Sequence, residues 1–340
     1  MRLKGNDHFK LKMTVLASFT IALFFASFMV GRFAISPRLV LNIILSNFLA
    51  IPQDWNTTLN TVVLQVRLPR IVLGILVGGA LSVAGASYQT LFKNPMVSPD
   101  ILGVSAGAAF GAALAMINNA FWWQIQLMAF VFGIIAVVVA YTIAYVFGKN
   151  TITVLILAGI VVSSLFQSLL SILKTLADTN NALPAITYWL MGSLGKSKIE
   201  DVLIILPMLA FSLLLIFIYR NQIDVLAAGE DEARTMGVNV PLVKLVVIVS
   251  STLMTVSTVS VCGIIGWVGM VVPHIARMLT GASFSKLAVT SFFVGGAFLL
   301  TIDNVIRGIE GVELPLGVLT ALVGTPVFVL LLSRVKKGWS

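Results

Sequence analysis

The sequence predicts an all-α polytopic membrane protein, and two observations carry that reading. Hydrophobic residues fill 59% of the 340 positions and charged residues only 10%, against about 25% charged in soluble domains; mean hydropathy is +1.04. The apolar residues also recur in runs of about 20, the length that crosses a hydrocarbon core as a helix, from one end of the chain to the other with short polar breaks. No stretch is left for a sizeable soluble domain. Ten spans are expected, at roughly 13–34, 71–92, 101–117, 121–147, 153–173, 202–219, 243–262, 264–279, 287–306 and 315–333, within one transmembrane domain covering 1–340.

The first span follows Arg2, Lys4, Lys10 and Lys12. Met13 to Phe33 is too long for a signal-peptide h-region and lacks a small-x-small cleavage site, so a retained helix is expected. Span two carries Gly74, Gly78, Ser82 and Ala86 on one stripe, and span three carries Gly103, Gly107 and Gly111 on another. That spacing lets helices approach closely in lipid and reads as packing rather than a site. An even number of spans puts both termini on one side. The basic N-terminus together with Arg334, Lys336 and Lys337 makes that side the cytoplasm. The isoelectric point of 9.9 then reflects basic residues at span ends rather than a nucleic-acid-binding face. Cys262, the one cysteine, can form no internal disulfide.

The segment LAAGEDEARTMGVNVP, Leu226 to Pro241, interrupts the apolar pattern with Glu230, Asp231 and Glu232 in a row and Arg234 just behind. It joins spans six and seven and so faces the cytoplasm. Gly229 suits an N-cap, the acids fall in the first turn where the helix dipole favours negative charge, and Gly237 suits a left-handed C-cap with Pro241 preventing continuation. A short helix outside the bilayer is expected.

In QVRLPRIV, Arg67 and Arg70 lie at the outer end of span two, where the positive-inside bias disfavours them. Arg307, in TIDNVIRGIEGVELP, falls on the same side with Asp303, Glu310 and Glu313. The charges alone leave two readings open: interfacial snorkelling with local ion pairs, or a docking patch for an acidic partner outside the membrane.

No energy source is visible within the chain. A mid-span charge costs at least about 2.5–3.5 kcal/mol, a cost that ion-coupled carriers accept to bind their ions. Here Asp100 and Asp303 sit near span ends and His274 follows Pro273, which makes an ion-coupled secondary transporter the weaker alternative. GSLGKS, Gly192 to Ser197, imitates a phosphate loop but has Leu190 where the pattern needs its first glycine, and no strand precedes it. His8 and His274 lack further ligands for a metal, and no Ser/His/Asp grouping falls in one aqueous compartment. Such a chain needs a partner to drive it, and the charged helix is the candidate contact.

Several segments together resemble the FecCD-type permeases, the membrane subunits of ATP-binding-cassette (ABC) importers for iron-siderophores, haem and cobalamin. They are Arg67 to Ala108, YWLMGSLG (Tyr188 to Gly195), GEDEARTMGV (Gly229 to Val238), GIIGWVGMVVPHIARMLTG (Gly263 to Gly281) and ELPLGVLTALVGTPVFVLLL (Glu313 to Leu332). They cover most of the chain in the family's order.

The resemblance implies a type II ABC importer permease architecture of ten helices per subunit, in a prokaryotic cytoplasmic (inner) membrane. It implies a second permease subunit, as a homodimer or a paired paralogue with the path at the interface, two cytoplasmic ATPase subunits and an extracytoplasmic binding protein. ATP and Mg would be bound by the ATPases, with no cofactor on this chain. A coupling helix, about 224–240, would seat in the ATPase through Gly229, Glu230, Asp231, Glu232, Ala233, Arg234 and Gly237. Arg67, Arg70 and Arg307 match the arginines that such permeases present to glutamates of the binding protein. Asn94, Pro95 and Met96, with Ile152 and Thr153, resemble the cytoplasmic gate, although Met96 and Val97 stand where Leu-Ala is common. Pro273, His274 and Arg277 match a Pro-His-x-x-Arg motif taken as structural. The implied function is import of a metal chelate, a ferric siderophore first, then haem, cobalamin or an oxyanion such as molybdate, by alternating access.

Overall fold

The computed structural model describes residues 2–31, 35–47, 49, 52–148, 151–309 and 314–335, and every regular element among them is helical. Glu310, Glu313, Lys336 and Lys337 lie outside the described residues, as do the side chains of Arg2, Lys4, His8 and Arg334. In chain order the helices are α1 (Arg2–Ser27), α2 (Pro37–Leu45), α3 (Thr57–Asn60), α4 (Leu68–Leu91), α5 (Val104–Ile117), α6 (Trp122–Gly148), α7 (Ile152–Leu176), α8 (Ala182–Leu190), α9 (Ile199–Ala228), α10 (Glu230–Thr235), α11 (Val240–Cys262), α12 (Val268–Thr280), α13 (Phe284–Gly308) and α14 (Leu316–Val335). A π turn at Thr61–Arg67 fuses α3 to α4, and a 3₁₀ turn at Pro99–Leu102 precedes α5.

Each of the ten expected spans falls on a helix. Seven are long and apolar enough to cross a bilayer: α1, the α3–α4 run, α6, α7, α9, α11 and α13. Three shorter apolar helices, in α5, α12 and α14, complete the set. Two of these follow non-helical backbone that is stitched together rather than left bare: Ser193 N–H donates to Cys262 O at 2.8 Å, and Leu316 and Gly317 N–H donate to Gly192 O and Met191 O at 2.9 and 3.0 Å. Backbone that leaves the helix near membrane depth needs such partners.

The core is centred on α4 and α11, each with 83% of its most apolar window buried, whereas α1 at 6% and α7 and α9 at 28% lie at the periphery. The small-residue stripe explains how α4 comes to the centre. A Cβ placed on Gly78 would run into the carbonyl oxygen of Gly295 on α13, and one on Gly85 into that of Gly269 on α12. The obstructing atoms are backbone, which cannot swing aside. Gly295→Val should therefore cost at least the upper part of the roughly 1–3 kcal/mol typical of overpacking, read as a fall in apparent Tm of the detergent-solubilised protein. An unchanged Tm would mean that α4 and α13 are further apart than this.

Two of the boundaries that change have a visible cause. The first span ends at Ser27 rather than 34 because arginine side chains, described below, take the carbonyls beyond it. The segment expected at 224–240 is a six-residue helix, α10; residues 224–228 complete α9, and Pro241 starts α11 rather than only blocking α10, in a first turn capped by Asn239 Oδ1, which accepts from Leu242 N–H at 3.2 Å.

Candidate functional site

The fold separates the sequence-predicted residues onto two ends of one bundle. At one end Asp303 on α13 is the hub. Its Oδ1 accepts from Arg70 Nε at 2.9 Å and lies 2.8 Å from Arg70 Nη2, while Oδ2 pairs with Arg307 Nε at 3.0 Å. The Asp303 side chain is 1% exposed, with Arg307 at 8% and Arg70 at 15%. Arg307 also donates to Ser27 O at 3.0 Å and Val30 O at 3.3 Å, and to Asn304 Oδ1. Arg67, itself buried, donates to Phe28 O. The last carbonyls of α1 and of the turn after it are thus satisfied by guanidinium groups from two other elements, which is what the end of a helix requires. The three arginines are brought together as expected, but as a largely buried cluster with three cations around one carboxylate, rather than as freely presented side chains.

At the opposite end α10 turns only Ala233 inward and leaves Asp231, Glu232, Arg234, Thr235 and Met236 exposed. Its entry is tight: a Cβ on Gly229 would collide with the Glu232 carboxylate. Its exit is a Schellman-type cap, with Gly237 at φ +78° and Val238 N–H donating to Ala233 O at 2.9 Å. Glu230 is held by Lys244 of α11 at 2.6 Å. The result is a rigid charged knob.

Sequence reasoning missed the residue that ties this knob to the bundle. Asp224, one turn before the end of α9, accepts Phe284 N–H at 2.5 Å and Ser285 N–H at 3.1 Å, and the hydroxyls of Ser285 and Ser283 at 2.5 and 3.3 Å. It therefore caps α13 from outside. Since α13 is 25 residues long, about 37 Å at 1.5 Å per residue, one rigid rod runs from the α9–α10 corner to the Asp303 cluster. An isolated aspartate in a polar patch carries no local signal for such a contact 60 residues away.

Asn94, Pro95 and Met96 form an exposed turn after α4, closed by Met96 N–H on Asn94 Oδ1 at 2.9 Å, and Lys93 reaches Ala228 O at 3.1 Å. Ile152 and Thr153 open α7 at the same end. Arg277 donates to Gln89 Oε1 at 3.3 Å, and Gln89 Nε2 donates to Met270 O at 3.1 Å and Val97 O at 3.4 Å. The Pro273–Arg277 motif thereby holds α12 against both α4 and the Asn94–Val97 turn. Gln89, 2% exposed, is a second residue that the sequence did not single out, while His274 Nδ1 is buried without a hydrogen-bond partner among the described residues.

Two peripheral helices, α9 and α7, differ in what they expose. Every exposed residue of α9 between Leu203 and Ile218 is apolar, as lipid contact demands. On α7, Ser164, Gln167, Ser168, Ser171 and Thr175 are all exposed. The four hydroxyls donate to carbonyls of the preceding turn at 2.9–3.0 Å and recur at helical spacing on one face. The signal was legible as a 3.6-residue period of hydroxyls, and a search confined to charges passes over it.

The family model described as the FecCD transport family matches residues 19–334. The chain is 34% identical over 312 residues to a molybdate import system permease protein, MolB, of Haemophilus influenzae, covering 91% of each chain. It is 38% identical over 276 residues to a cobalamin import system permease protein, BtuC, of Halobacterium salinarum, covering 81% of this chain and 74% of that one. Among solved structures, a chain described as a metal-chelate type ABC transporter in an inward-facing conformation superposes with a TM-score of 0.84 at 32% identity, covering 96% of this chain and 99% of that one. The ten-helix order, the glycine-mediated packing around α4 and these likenesses over almost the full length agree, and the chain belongs to the FecCD transport family, as a membrane-spanning permease subunit of an ABC importer.

Proposed function

We propose that the chain works in a prokaryotic inner membrane as one half of a paired permease that passes a metal chelate, a ferric siderophore first, with haem, cobalamin or molybdate as further cargo, into the cytoplasm. Both termini and α10 face the cytoplasm. Two partner ATPases bind ATP and Mg and grip α10; this chain binds neither. A second permease subunit, a copy of this chain, faces the exposed hydroxyl side of α7, so that a weakly polar path runs between the two. Such a wall offers no strong ligand to a passing chelate, which suits a conduit. The Asn94–Met96 turn with Ile152 and Thr153 closes its inner mouth, under the hold of Gln89 and Arg277.

Among the described residues of the outer cluster, three arginines stand against one aspartate, a local positive surplus. Even mostly buried, that surplus steers and registers an acidic binding protein through its field. Alternating access follows from moving α10: the rod α13 carries the displacement to the Asp303 cluster, and the close-packed α4 interface passes between two discrete packings.

The observation that carries this reading is α10 itself, a capped knob with its charges outward and its root clasped to α13. Exchanging its charges, Glu232→Arg with Arg234→Glu, should abolish copurification of the ATPase or leave ATP hydrolysis without chelate uptake in proteoliposomes holding all components. Undiminished uptake by the exchanged variant, or concentrative uptake by the permease alone under an ion gradient, would overturn the reading in favour of a secondary transporter.

A further inference from the structure

Between α9 and α13, on the apolar outer surface, runs a groove of about 370 Å³ lined by Val83, Leu213, Phe217, Ala288, Phe292 and Phe293, with Arg220 and Ser285 as its polar members. Its depth in the membrane follows from the sequence of α9. Asp201 and Arg220 bound a stretch of 18 residues without a charge, about 27 Å of helix, close to the thickness of the hydrocarbon core. Arg220 therefore sits at the headgroup boundary, with the groove extending from it into the acyl region.

The guanidinium has no carboxylate within ion-pairing distance among the described residues. Its central carbon lies over the Phe217 ring, 3.8 Å from the ring centre, and it donates to the Phe217 carbonyl at 2.9 Å. The obvious partner, Asp224 one turn further along α9, is engaged by four donors from the start of α13. A half-buried cation at interface depth, with no carboxylate paired to it among the described residues, stands over a slot whose lining is almost entirely apolar.

We propose that this groove binds an anionic glycerophospholipid, with the phosphate on Arg220 and an acyl chain laid against Phe292 and Phe293. A basic residue beside a cleft between membrane helices is the general means by which anionic headgroups are selected. The site bridges the α9–α13 seam immediately beside the Asp224 clasp, so a bound lipid fills and stiffens the joint through which α10 meets the rod. The assignment concerns lipid alone and stands or falls apart from the transport reading.

The test is native mass spectrometry of the full-length permease, purified in mild detergent and offered equal amounts of phosphatidylglycerol and phosphatidylcholine with identical chains. The wild type should retain phosphatidylglycerol preferentially by about fivefold, the worth of one basic residue near an anionic surface. Arg220→Gln should lose the preference while Arg220→Lys keeps most of it, and Ala288→Trp, which fills the slot, should lower retention of both lipids in a protein that still elutes as the wild type does. Soluble glycerol phosphate should not displace the lipid. Equal preference in the wild type and Arg220→Gln would overturn the proposal, as would displacement by glycerol phosphate, which would mark a free-anion site instead.

Discussion

Asp303→Ala should be among the most damaging single substitutions in this protein. The carboxylate is 1% exposed and is the shared partner of Arg70 and Arg307, so its loss strands two poorly hydrated guanidinium groups beside the buried Arg67. Removing one partner of a buried pair typically costs about 3–5 kcal/mol, because the remaining charge has no compensation. Arg307 also carries the carbonyls at the end of α1, and the contact between α1 and α13 should loosen with it. The measurement is apparent Tm together with the amount of monodisperse protein recovered from membranes. Asp303→Asn, which keeps the shape and part of the hydrogen bonding, should fall between. Adding Arg70→Met to Asp303→Asn should recover part of the loss, since the pair is coupled and additivity fails for groups in contact. If Asp303→Ala melts with the wild type and the double variant shows no coupling, the cluster is ornamental to stability, and the buried position of the arginines needs another cause.

What could be seen in the sequence follows from the range of the interactions involved. Spans are legible because the bilayer imposes one requirement on every residue of a helix, and α10 is legible because its caps, charges and glycines lie within a dozen residues. The close approaches of α4 are half legible: the Gly74–Gly78–Ser82 period announces a packed face, but not that Gly295 is what it meets, nor that Gly85 one turn on meets Gly269. The Asp303 cluster shows the limit. Its local half, Asp303 with Arg307 at i,i+4, is visible in the sequence, while Arg70 lies 233 positions away, and nothing near Arg70 says whether it faces water or an aspartate. The three arginines do lie together, but Asp303 and the carbonyls from Ser27 onward hold them largely buried. Gln89 and Asp224 were silent for the same reason, since their partners include backbone groups and side chains of elements 59 to 188 positions away, and nothing near either residue announces them.

Asp224 supplies the sharpest test of how force crosses the bundle. Asp224→Ala should separate ATP hydrolysis from transport. The carboxylate binds two amides and two hydroxyls at the start of α13, so a movement of α9, which leads straight into α10, should take α13 along. Without it, Phe284 and Ser285 N–H must turn to water, which costs about 1–3 kcal/mol for orphaned donors and less here because the site borders the surface. Folding should survive this. The coupling should not: if these contacts carry the free energy that links the two ends, 1–3 kcal/mol corresponds to roughly 5–150-fold in the linked equilibrium. In proteoliposomes with ATPase and binding protein, chelate moved per ATP hydrolysed should fall by about tenfold within that range, with hydrolysis close to wild type, and Asp224→Glu should restore part of the ratio because it keeps the charge at a longer reach. A purely structural role predicts something else: uptake and hydrolysis would decline together, in proportion to the folded fraction, and the ratio would stay constant. That result would remove α13 as the transmitting rod and leave α11, joined to α10 through Lys244 and Glu230, as the remaining route.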